Sequence, residues 1–281
     1  MLGGIYVIVA VAFTLTIGVI NFLNFSIPAI FMVSGMVAWG FMAAGWHWIV
    51  ALPSALIAGG LASLLVERFT YRWLKGSAHF VPLVSSMAFL ILFENLVLIQ
   101  WGSDQQPFPS PFPDANIRVF GLVIGVPQLF SLLAAIFLVF VMSRLLKKTH
   151  LGRGLRVIAE SPETAEMLGV DVDRIVPVVF LISGLFTALG GVLFALNYMQ
   201  VSPFMGEEVA LKGISAMVIG GMGNIWGAIL GGLIIGLTEV LSITFLGADF
   251  VDIAVYGLLL LLLFVRPTGL LGGSGIGRGK L

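Results

Sequence analysis

The sequence predicts an all-α polytopic membrane protein with about eight or nine transmembrane helices. Three observations carry that prediction. Of the 281 residues, 59% are hydrophobic and only 10% charged, where a soluble domain carries roughly 25% charged residues. The first charged residue of any kind is Glu67. The apolar residues fall in stretches of about 20, the length that carries a helix across the hydrocarbon core, and the mean hydropathy is +1.11.

The spans read as 3–20, 27–44, 48–66, 80–100, 127–146, 176–199, 225–245 and 250–265, with a shorter glycine-rich ninth stretch at 208–221. The opening MLGGIYVIVAVAFTLTIGVI has no basic n-region and no A-x-A-like exit, so it reads as a first span rather than a cleaved leader. Between the first two spans stands NFLNFS, where Asn21, Asn24 and Ser26 read as turn and N-cap residues or as the lining of a polar opening. The 80–100 span carries Glu94 followed by Asn95. An ionisable group inside a span is a functional candidate by default, and Glu94 has no partner nearby in sequence. The following loop, with one arginine and four closely spaced prolines in GSDQQPFPSPFPDANIRVFGLVIGV, is expected outside the membrane.

After the 127–146 span the chain turns polar. Residues 144–174 hold 6 of the 14 Lys and Arg and 5 of the 14 Asp and Glu. Ser161-Pro162 offers an N-cap with proline at the first helical position, and Gly169 offers a C-cap. A short capped helix is therefore expected, preceded by the basic stretch GRGLRVIAE. Arg68, Arg72 and Lys75 occupy another short loop two spans earlier. The excess of Lys and Arg on the cytoplasmic side places both loops, and the C-terminus with Arg266, Arg278 and Lys280, in the cytoplasm, and the N-terminus outside.

In the last third, Gly223, Gly227 and Gly231 recur every fourth residue, and Gly232 and Gly236 repeat the spacing. Such spacing lets helices approach closely in lipid. The run Gly220-Gly221-Met222-Gly223 predicts instead a break between a short helix and a long one, and broken helices at membrane depth are tolerated where they line a cavity. Glu208 and Lys212, at i and i+4, are expected to pair at the outer interface, and Glu239 stands inside the next span.

Several function classes are excluded. There is no cysteine, hence no disulfide or thiolate chemistry. No P-loop occurs, so the chain binds no ATP through one. The three histidines are far apart and no H-E-x-x-H occurs, so neither a zinc site nor catalytic residues are expected. Zero net charge argues against a nucleic-acid partner.

Three motifs in order carry a family resemblance. GGIYVIVAVAFTLTIGVINFLNFSIPAIFMVSG, GRGLRVIAESPETAEMLGVDVDRI and LKGISAMVIGGMGNIWGAILGGLIIG resemble the opening, the cytoplasmic loop and the glycine run of the branched-chain amino acid ABC transporter permeases. The chain is most similar to their H-type subunit. Ile27-Pro28 and the proline-rich outer loop depart from the family pattern.

The resemblance implies a type II ABC importer permease: one transmembrane permease domain over 1–281, in a bacterial inner membrane, with a cytoplasmic coupling loop at about 147–175. It implies a second, M-type permease, two cytoplasmic ATPases that bind the ATP and magnesium, and a periplasmic substrate-binding protein. No cofactor is expected in this chain itself. Gly152, Arg153, Leu155, Arg156, Glu160, Glu163, Ala165, Leu168 and Gly169 would then couple to the ATPases. Asn21, Asn24, Ser26, Glu94, Asn95, Gly220, Gly221 and Gly223 would be candidates for the translocation pathway. The resemblance implies branched-chain or other hydrophobic amino acids as the cargo, with urea, amides or aromatic acids as the alternative. The competing class is a proton-coupled secondary transporter using Glu94 or Glu239.

Overall fold

The protein is seen here as a computed structural model that describes residues 1–74, 80–111, 116–119, 122–160 and 162–272. Among these, the chain forms α1 (Leu2–Ile20), α2 (Ile27–Ala43), α3 (Trp48–Val66), α4 (Phe80–Trp101), α5 (Val126–Lys148), α6 (His150–Glu160), α7 (Pro162–Met167), α8 (Val172–Tyr198), α9 (Met205–Gly220), α10 (Ile225–Phe245) and α11 (Val251–Val265). A π-helical stretch, Glu67–Arg72, prolongs α3. Seven helices are long and apolar enough to cross a membrane, and α2 is a shorter apolar helix. With α2 and the 16-residue α9, the expected eight or nine spans are accounted for.

The first span is the centre of the bundle. Nearly all of α1 is buried, packed against α8, α9, α10 and α5. In lipid, apolar surface gains little by leaving its surroundings, so close packing of small residues holds helices together. The glycine ladder serves that end. A methyl group on Gly231 would strike the Ala216 carbonyl of α9, one on Gly227 the Gly220 carbonyl, and one on Gly236 the backbone of Gly3. These pairs run α10 antiparallel to both α1 and α9. Away from this centre, α4, α5 and α11 turn large apolar side chains outward, among them Ile99, Phe137 and Phe264.

Two ends follow. Thr14 to Val19 of α1 share a cleft with Lys147 and with the α9–α10 turn, so the last third of α1 lies at the Lys/Arg-rich end, here the inner end. Met1 is then at the outer end, where two short strand pairs lie. β1 (Gln106–Pro107) pairs with β4 (Gln200–Val201), tying the loop after α4 to the α8–α9 connection; β2 (Asn116–Val119) and β3 (Leu122–Gly125) form a hairpin before α5. Trp39 Nε1 donates to the Pro107 carbonyl at 3.1 Å, fixing the end of α2 to this outer layer.

Candidate functional site

The polar stretch folds into a compact element at the inner end. Thr149 Oγ1 accepts from the Gly152 amide at 3.1 Å and starts α6 immediately after α5. A side chain on Gly152 would strike the Leu146 carbonyl, so the corner requires glycine. Arg156 Nη1 donates to that same carbonyl at 3.1 Å, bracing α6 against the end of α5. Arg153 Nη2 is 2.8 Å from His150 Nδ1. The corner thus holds two guanidinium groups on an exposed face.

Leu155 and Ala165, two of the residues expected to couple to the ATPases, face inward instead of toward a partner. Leu155 and Ile158 are buried, because α6 is amphipathic and lays that face on the bundle; Ala165 of α7 is buried as well. The outward apolar pair is instead Met167, 88% exposed, and Leu168, 68% exposed. Gly169 closes α7 at φ +79°, with the Val170 amide bonded to the Ala165 carbonyl at 2.9 Å. The expected N-cap Ser161 lies outside the described residues, as do the side chains of Glu160 and Glu163.

The pathway candidates fall in three separate places. Asn24 and Ser26 are wholly buried, with Asn24 Oδ1 accepting from the Ser26 amide at 3.0 Å and its hydroxyl at 2.7 Å. This is a local turn that starts α2. The Phe25 amide donates to Ser86 Oγ of α4 at 3.1 Å, seating the turn within the bundle. Asn21 ends α1 in the left-handed conformation, at φ 51°. On α4, Asn95 bonds back to the Ile91 carbonyl at 2.8 Å and faces outward, while the half-buried Glu94 interacts with Glu207 at the start of α9.

The glycine break between α9 and α10 does not stand at mid-membrane. It lies at the inner end, where Gly221 (φ +109°) and Gly223 (φ +80°) reverse the chain. The segment after α11 closes it. The Leu270 amide donates to the Ile219 carbonyl at 2.8 Å and the Leu271 amide to that of Gly220 at 2.9 Å, satisfying the end of α9. Asn224 Oδ1 then caps α10 through the Trp226 and Gly227 amides, at 3.0 and 3.3 Å.

One cluster joins residues that the sequence kept apart. Lys212 Nζ lies 3.2 Å from Glu208 Oε1, as the i, i+4 spacing suggests, and 3.0 Å from Glu239 Oε1 on α10. Lys212 and Glu239 side chains are 3% and 6% exposed, whereas that of Glu208 is 71% exposed. The Tyr6 ring of α1 lies 5.8 Å from the ammonium. Glu208 also lines an outer cleft of about 300 Å³ with Ser103, Gln105, Gln200, Ser202 and Phe204. Neither the Glu239 pairing nor this cleft has a sequence-local signal; two unpartnered charges inside spans are the hint that was available.

This arrangement, a glycine-laddered bundle with a two-helix element at its basic end, matches known proteins along almost its whole length. The family model described as the branched-chain amino acid transport system permease component covers residues 1–265. The chain belongs to this family. It is a permease component that spans the membrane several times. The high-affinity branched-chain amino acid permease protein LivH of Escherichia coli K12 is 30% identical, over 96% of this chain and 92% of its own. BraD of Pseudomonas aeruginosa, named for the same transport system, is 28% identical over the same shares. The ribose import permease RbsC of Bacillus subtilis is 27% identical over 76% of this chain and 72% of its own. Among solved structures, PsaBC from Streptococcus pneumoniae in complex with Fab shares the fold, with a TM-score of 0.54 at 12% identity, covering 95% of this chain and 90% of that one.

Proposed function

We propose that this permease, seated in the inner membrane, carries branched-chain or other hydrophobic amino acids inward. In this reading it works beside an M-type permease, driven by two cytoplasmic ATPases that bind ATP and magnesium and supplied by a periplasmic binding protein. The observation that carries the reading is the α6–α7 element. Its inner face is locked to the bundle by Leu155, Ile158 and the Arg156–Leu146 bond, and its outer face presents Met167 and Leu168 to water. Two large apolar side chains on a short polar element suit the cleft of a soluble partner. Because α6 is braced against α5, a push on it moves α5 and α1 with it.

The outer cleft supports the cargo class. It pairs the Glu208 carboxylate with amide and hydroxyl groups and with Phe204, a combination suited to a zwitterion bearing an apolar side chain. Proton coupling through Glu239 is disfavoured, since Lys212 already neutralises it at 3.0 Å. The test is reconstitution. Liposomes holding both permeases, the ATPases and the binding protein should take up leucine only with ATP. Uptake by this chain alone under a proton gradient would overturn the reading, and uptake of urea or an aromatic acid in place of leucine would reassign the cargo.

A further inference from the structure

At the inner end, a cleft of about 400 Å³ opens between α1, α5, α6 and the α9–α10 turn. Two cations line it, Lys147 and Arg156, and its described lining contains no carboxylate. Lys147 Nζ sits 5.0 Å from the centre of the Trp226 indole at the rim. Arg156 gives an N–H to the Leu146 carbonyl, and a guanidinium has five. Deeper in, Thr14 lines the cleft; it is 1% exposed and its hydroxyl has no hydrogen-bond partner. Buried hydroxyls ordinarily find one. Ser143 and Asn224 add polar groups, while Leu15, Val19 and Ile225 supply an apolar wall.

Two like charges at the mouth of a concave cleft with an apolar wall focus a positive potential into it. Tryptophan beside lysine at a helix end marks the membrane–water interface, and basic pockets between helices on the cytoplasmic side suit anionic headgroups. We propose that this cleft binds a phosphate group, and that the phosphate is that of an anionic phospholipid of the inner leaflet. The Arg156 and Lys147 cations hold the phosphate oxygens, and the apolar wall takes the start of the acyl chains. Bound there, the lipid bridges α6 to α1 and to the α9–α10 turn, so the leaflet's composition bears on how firmly the α6–α7 element is held.

The test titrates phosphatidylglycerol into the full-length protein, purified with the subunits that accompany it, and counts retained lipid by native mass spectrometry. Lys147→Gln and Arg156→Gln should each weaken retention about tenfold, the loss expected from one charge-assisted hydrogen bond. Lys148→Gln, one residue along and outside the cleft, should leave it unchanged. Lys147→Gln is decisive, because Lys148→Gln removes the same charge one residue along, so general surface attraction alone predicts equal losses. Unaltered retention in Lys147→Gln, or an equal loss in Lys148→Gln, overturns the site. Competition by inorganic phosphate separates the sources. Failure to displace the lipid upholds the lipid assignment; displacement at millimolar phosphate overturns it in favour of a soluble anion.

Discussion

Replacing Lys212 with methionine leaves the Glu239 carboxylate buried without its ammonium. The two groups lie 3.0 Å apart, with side chains 3% and 6% exposed. At that distance the attraction is about 5–6 kcal/mol for an effective dielectric of about 20. Desolvation offsets most of it, so the intact pair adds little net stability, but removing one partner costs about 3–5 kcal/mol. The expected loss for Lys212→Met is therefore about 3–5 kcal/mol. Lys212→Met with Glu239→Leu should return to within about 1 kcal/mol of the wild type. Reversible unfolding in mixed detergent micelles, run as a double-mutant cycle with the two single variants, measures both. A single variant as stable as the wild type, or a double variant no better than the single, would refute the buried-pair argument.

Three further outcomes follow from the geometry. Leu168→Asp, at a side chain 68% exposed, should leave stability within about 0.5 kcal/mol yet abolish substrate-stimulated ATP hydrolysis; Leu155→Asp, at a buried side chain, should instead yield little folded protein on size-exclusion chromatography. Gly231→Ala drives a methyl into the Ala216 carbonyl and should give no monodisperse protein, whereas Gly257→Ala, with open space around it, should raise stability by up to about 1 kcal/mol in the same unfolding assay. Gly221→Leu imposes φ +109° on a residue with a side chain and pushes against Gly272. Its backbone penalty alone is about 1–2 kcal/mol, and loss of the Leu270 and Leu271 bonds to α9 should appear as faster amide exchange in both residues.

Most spans were legible to within two residues, although α8 and α9 begin four and three residues before the stretches read for them. The stretch 225–245 is α10 as observed, and 80–100 differs from α4 by one residue, because crossing length and hydropathy are local properties. So was the end of α7: Gly169 takes the left-handed conformation that glycine after a short helix suggests. The direction of α6 was not legible. Its periodicity shows an apolar face, but Leu155 and Ile158 at that spacing serve equally for the chain's own bundle or for a partner. The glycine break was read as a break, and its depth was not, because depth depends on where residues 269–272 return to cap it.

The sequence by itself determined the membrane class, the approximate spans and the family. Each rests on composition, hydropathy or order along the chain, which need no knowledge of neighbours. Only the tertiary structure decided that Glu239 has a partner, that Asn24 and Ser26 are sealed in a turn, and that Lys147, Arg156 and Thr14 share a cleft. Those facts depend on which helix faces meet, and in lipid that choice is made by the close approach of small residues distant in the chain, such as Gly231 against Ala216.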